Sequence, residues 1–278
     1  MIDHDRLFKE LLTTFFPEFL DLFLPDLSAY VDRQSIAFLD KEVFTDVTAG
    51  AAHRADLVAR ARHRGEESFF LVHLEHQAQP RAGFAQRMFG YFAALHARHH
   101  LRVYPIALFS HDCLQPEPDE YRVKFPDLEV LRFRFRVIQL SRLSWRDYGR
   151  QANPVASALM ARMGMAPEER PRVKLECLRL LITLQLDPAR LRLISAFVDT
   201  YLRLNQRETL LFDQQAATLL GETERTTVME LTTSWKEEGI EIGRQEGRQE
   251  GRQEGRQEGR ERECQFILRQ LRKRLGPL

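Results

Sequence analysis

The feature that most restricts the fold is a pair of acids set in apolar runs. Asp56 stands within Arg54-Ala55-Asp56-Leu57-Val58-Ala59, and nineteen residues after Asp56 the run Val72-His73-Leu74-Glu75-His76-Gln77 carries Glu75. Acids are unusual inside otherwise apolar strands. Alternate residues of a strand point the same way, so Glu75 and Gln77 share one face, and neighbouring strands would let Asp56 and Glu75 converge. Two carboxylates held that close repel, and a divalent cation such as Mg²⁺ relieves the repulsion through hard oxygen ligands and retained waters. Such an ion acidifies bound water and neutralises a scissile phosphate, while a third group, here Gln77, positions the nucleophile. From spacing alone the pattern also fits a salt bridge or an edge-strand device.

The surrounding sequence supplies the sheet these runs need. Ile36 to Leu39, Val43 to Thr45, Ala55 to Ala59 and Phe69 to Leu74 are rich in β-branched or aromatic residues and read as strands of a meander. Val103 to Phe109 reads as a buried strand, and Leu131 to Val137 alternates, with Arg132, Arg134 and Arg136 on a wet or phosphate-facing side. Apolar residues between Asp5 and Leu24 recur at helical spacing, interrupted at Pro17 and closed at Pro25. Phe84, Met88, Phe92 and Leu95 mark an amphipathic helix between Arg81 and Arg98. After Asn153-Pro154 the texture turns helical, through Val155 to Met163, Glu168 to Leu186, Pro188 to Leu204 and Glu208 to Leu220. The expected fold class is α/β, a mixed sheet of four or five strands flanked by the first helix and the Arg81 to Arg98 helix, followed by a helical region.

Charge says little in total, because the formal net charge of +1 conceals arginines bunched in stretches. Arg54, Arg60, Arg62 and Arg64 flank Asp56, and Arg81, Arg87, Arg98 and Arg102 follow Glu75. Guanidinium groups pair with phosphate oxygens, although an arginine-rich solvated surface explains each cluster as well. Cys113, Cys177 and Cys264 are odd in number and have no CxxC spacing, so they read as inert thiols. His96 and His100 lack the companion Glu of a zinc helix and receive no metal. No apolar run is long enough to span a bilayer and no leader is recognisable, which leads to the expectation of a soluble cytoplasmic protein.

From Gly243 the tetrad Gly-Arg-Gln-Glu repeats four times. On a helix a four-residue period drifts by about 40° per repeat, so glycines and charges form slow stripes. Each internal glycine costs about 1 kcal/mol relative to alanine, and like charges meet at i,i+4. Two such helices packed along their glycines would make a homo-oligomer, and the alternative is a flexible spacer.

The segments Asp3-His4-Asp5-Arg6-Leu7-Phe8-Lys9-Glu10-Leu11-Leu12, Arg54 to Val58, Leu71-Val72-His73-Leu74-Glu75-His76-Gln77 and Arg87-Met88-Phe89-Gly90-Tyr91 occur in that order. Together they resemble the recombination-promoting nuclease and putative transposase family of the PD-(D/E)XK nuclease superfamily, over roughly the first 150 residues. The closing Leu268 to Leu278, with Trp235 to Gly239 ahead of the repeat, resembles the start of a domain called DUF4351. The resemblance implies a restriction-endonuclease-like core with Asp56 and Glu75 as Mg²⁺ ligands. Gln77 takes the place of the lysine in Glu-x-Lys. Asp5, Lys9, Arg87 and Tyr91 are implied as supporting or phosphate-binding residues. The activity implied is Mg²⁺-dependent endonucleolytic cleavage of DNA, linked to recombination or transposition. The alternative is a weak or inactive nuclease fold that binds DNA or drives assembly. The expected domains are a nuclease-like 1–150, a helical 151–235, the repeat segment 236–263 and the beginning of a DUF4351-like helix at 264–278.

Overall fold

Strands and helices are set by where apolar side chains can be hidden, and the computed structural model describes residues 4–39, 43–45, 52–54, 57–65, 69–79 and 82–232. Asp56, the repeat segment and the DUF4351-like end lie outside the described residues. The unit ending at Arg225 holds both the strand-rich part and the helices that follow it, and a second unit begins at Thr226.

Strand β1 (Val31–Phe38), β4 (Leu57–His63), β5 (Phe69–Gln77), β6 (Arg102–Phe109) and β9 (Arg136–Gln139) form one five-stranded sheet in the order β1-β4-β5-β6-β9. The first three pair antiparallel, whereas β6 joins β5 and β9 joins β6 in parallel, so the sheet is mixed. Parallel neighbours need a crossover. Helix α4 (Phe84–His99) provides it between β5 and β6. Strands β2 (Val43–Thr45) and β3 (Ala52–Arg54) pair separately, as do β7 (Glu120–Lys124) and β8 (Glu129–Arg134).

The sheet is covered on both faces, which is why β5 is buried along almost its whole length. On one face α4 lays Leu95 against Val58 and Leu71, and Phe84 and Met88 against Ala107 and Phe109. On the other face Phe8 of α1 (His4–Thr14) stacks on His76, with ring centroids 3.9 Å apart, and meets Phe197 of α7 (Pro188–Tyr201) edge-on. Helices α5 (Pro154–Leu159), α6 (Arg170–Thr183) and α8 (Gln206–Leu219) complete the helical part. Their starts are written locally: Asn153 caps α5, Asp187 caps α7, and Asn205 with Glu208 forms a capping box on α8. Asn153 also donates through Nδ2 to the Glu18 carbonyl at 2.8 Å, fastening α5 to α2 (Phe16–Phe23). Gly164 admits no side chain, because a Cβ there would lie 2.7 Å from the Ser141 carbonyl oxygen.

The helical run is divided at its prolines as expected: α1 ends at Thr14 and α2 at Phe23, and Pro17 and Pro25 occupy the first turns of α2 and α3 (Pro25–Tyr30), where the missing N–H has no helical partner to lose. One expectation from sequence needs correcting in detail. The alternating run Leu131 to Val137 is not one strand. It leaves the β7–β8 pair at Phe135 and joins the main sheet as β9. Its arginines face acids and a phenol instead of forming a bare row: Arg132 Nε lies 3.0 Å from Glu120 Oε2, and Arg136 Nε donates to Tyr104 Oη at 3.0 Å. Bonds from Arg122 and then Arg132 hold the Glu120 carboxyl below the usual carboxylate range. No helix among the described residues is long and apolar enough to cross a membrane.

Candidate functional site

Alternation along β5 places His73, Glu75 and Gln77 on the face covered by α4, and all three are buried. The main sheet fixes their height, since Leu57 of β4 pairs with Leu74, and Glu75 and Gln77 stand beside Ala107 and Phe109 of β6. Gly83, at φ 72°, turns the chain into α4 in a conformation that side-chain-bearing residues rarely adopt. One turn later Arg87 reaches back to the sheet.

The decisive contact is between α4 and β5. Arg87 donates from Nη2 to Gln77 Oε1 at 2.6 Å, and its guanidinium lies over the Phe84 ring at 5.2 Å. Because its oxygen is occupied by Arg87, the Gln77 amide presents its NH₂ group as a donor to whatever enters the corner. A short charge-assisted bond of this kind is stronger than a neutral one and fixes both side chains.

Beside this pair, His73 Nε2 is 3.4 Å from Glu75 Oε2, too poorly aligned for a hydrogen bond. Neither nitrogen of His73 has a hydrogen-bond partner among the described residues, and its ring meets the Tyr91 ring edge-on at 5.4 Å. A buried carboxylate beside an imidazole, an amide and a guanidinium is a donor set that suits a hard cation at the carboxylate and an anion at the guanidinium.

Of the residues singled out from sequence, the fold brings Glu75, Gln77, Arg87 and Tyr91 together on the space between β5 and α4. Asp56 lies outside the described residues, as does the side chain of Asp5, so the Asp5–Lys9 pairing is not described; Lys9 itself is half-buried on α1. The arginines around β4 divide: Arg62 Nη2 bonds Asp32 at 2.6 Å, and Arg60 covers the Phe69 ring at 4.9 Å. His96 Nδ1 lies 2.8 Å from the Leu101 carbonyl, near the end of α4.

Sequence reasoning missed one group. His111, Cys113 and Glu117, between β6 and β7, bring a ring nitrogen, a sulfur and a carboxylate oxygen within 4.8 Å of one another. The only signal was a His, a Cys and a Glu within seven residues, a spacing that matches no common zinc pattern.

Residues 2–106 match a family model described as "Putative transposase, YhgA-like". The match covers α1 to β5, α4 and the first part of β6, and it bears out the transposase-family part of the resemblance over that stretch. It ends before the helices of 151–235 and before the segment likened to DUF4351. No curated protein and no solved structure matches the chain.

Proposed function

We propose that the corner between β5 and α4 hydrolyses DNA phosphodiester bonds, with Glu75 and Asp56 holding Mg²⁺ and with Arg87, steadied by Gln77, carrying the cationic duty that a lysine has in Glu-x-Lys sites. The match of residues 2–106 to a transposase family supports DNA as the substrate class. The observation that carries the reading is the 2.6 Å bond from Arg87 to Gln77. Glutamine alone has no charge to set against a phosphate, but a guanidinium bonded to its oxygen does.

Bound Mg²⁺ would supply an acidified water and neutralise phosphate charge. The chain's own residues do the rest. Arg87 pairs with a non-bridging phosphate oxygen, and the Gln77 NH₂ orients the incoming water or a second phosphate oxygen. The apolar wall of Phe84, Met88 and Phe109 keeps bulk water from the Arg87 side and strengthens those interactions.

The test is supercoiled plasmid incubated with the full chain in Mg²⁺ and in chelator. Nicking by wild type, lost in Glu75→Ala and Asp56→Ala and slowed about a hundredfold in Arg87→Ala, is the expected pattern. Arg87→Ala cutting as fast as wild type would remove the proposed role of the arginine. DNA retained in a gel shift with no cutting in any metal would instead favour a silent DNA-binding fold.

A further inference from the structure

We infer that His111, Cys113 and Glu117 form a second metal site, built for a zinc-class ion and distinct in chemistry from the Glu75 corner. Two observations carry this. The three ligand atoms already lie within 4.8 Å of one another. His111 is 5% exposed, and its Nε2 has no hydrogen-bond partner among the described residues although Glu117 Oε1 stands 3.1 Å away. A buried ring nitrogen beside a carboxylate, in a group that also holds a thiol, and without a hydrogen bond of its own is an uncompensated polar group, and such groups cost stability unless something satisfies them.

The backbone that carries the three ligands is held independently of any ion. The Cys113 carbonyl accepts from Gln139 Nε2 and from Ser141 Oγ, both at 2.7 Å. Gln139 Nε2 also donates to the Gln115 carbonyl at 2.8 Å, and the Glu117 N–H donates to Gln139 Oε1 at 3.2 Å. One glutamine on β9 thus braces the segment from Cys113 to Glu117, so binding needs side-chain rotation and little backbone ordering.

The donor set selects the ion. Sulfur, imidazole nitrogen and carboxylate oxygen suit zinc, whereas magnesium keeps to oxygen ligands and water. Tetrahedral zinc with bonds of about 2.0–2.3 Å places its ligands about 3.5 Å apart, so the group must contract by about an ångström. Water completes the fourth position. On binding, the Cys113 thiol releases its proton as the sulfur–zinc bond forms. His111 Nε2 gives its lone pair to zinc and the ring proton moves to Nδ1. That shift gives up the 3.3 Å contact from the Cys113 N–H, which is long for a hydrogen bond and weak.

The segment leaves β6 directly after Phe109, whose Cα partner on β5 is Gln77. A zinc ion here would stiffen the sheet end that carries the candidate site without entering it.

The experiment uses the full chain, stripped with chelator and titrated with Co²⁺ and then Zn²⁺. The expected result is one cobalt per chain with a thiolate-to-cobalt charge-transfer absorption that stoichiometric zinc displaces. The absorption disappears in Cys113→Ser and persists in Cys177→Ser, Cys264→Ser and Glu75→Ala. Glu117→Gln, a milder change, weakens zinc binding about tenfold or more. No such absorption in wild type, its survival in Cys113→Ser, or undiminished zinc affinity in Glu117→Gln would each overturn the site.

Discussion

Strand β5 buries a histidine on each of its faces, and the two differ in what surrounds them. His76 lies in an apolar wall: it stacks on Phe8, its Nε2 is 2.8 Å from Ser110 Oγ, and burial followed by the nearby Arg162 charge pushes its pKa down to about 3. His73, two residues before Glu75 on the opposite face, shares its space with a carboxylate, an amide and, from another element, a guanidinium. A buried polar residue therefore does not mark a site. What distinguishes the α4 face is a buried carboxylate set beside an imidazole, with an amide from β5 and a guanidinium from α4 bonded to each other on the same face.

The largest test of this contrast is Glu75→Ala, expected to lower metal-dependent plasmid nicking about a thousandfold or more while leaving the urea midpoint near wild type. On the opposite face Phe8→Ala is expected to cost about 3–5 kcal/mol of stability, read from urea unfolding, because it empties a fully buried aromatic position. Equal loss of stability in both variants would erase the distinction between the faces.

Arg87→Ala should slow cleavage about a hundredfold, and Gln77→Lys placed in that background should restore much of the rate by returning the cation to β5. A double variant as slow as Arg87→Ala would mean that the arginine does more than supply charge.

The smallest effect concerns pH. His76 binds a proton far more readily unfolded, near its ordinary value of 6.5, than folded, near 3. Acid therefore favours the unfolded chain: the neutral-ring stability is complete above pH 6.5 and falls as pH drops toward 3, by about 2 kcal/mol at pH 5. His76→Phe should flatten urea-midpoint against pH over that window. An unchanged slope would show that other groups set the acid limit.

Alternation alone predicts that Glu75 and Gln77 share a face, and the three-and-four spacing of Phe84, Met88 and Leu95 predicts the helix that covers them. Those are local periodicities, and local periodicity is what a sequence displays. The Arg87–Gln77 bond joins residues ten apart through a turn into α4, so the spacing of charges cannot announce it. The switch at Phe135 is hidden for a related reason: β8 and β9 keep one alternating pattern while belonging to different sheets. The breaks at Pro17 and Pro25, by contrast, are legible, since proline is excluded from a helix interior and tolerated in a first turn. The spacing around Cys113 matches no common metal pattern, and its nearness to His111 and Glu117 goes with bracing from Gln139 on β9, a distant strand that spacing does not reveal.

One register has a wider meaning. Gln77 is level with Phe109, and Phe109 with Gln139, so β5, β6 and β9 all stop on a single row. Parallel strands that end together create a rim where connecting segments can lengthen or change composition without disturbing the layers beneath. The corner at Gln77 and the His111 segment both lie at this rim. New specificity could therefore be gained there by altering segments past the row, with the hydrophobic layers inherited unchanged.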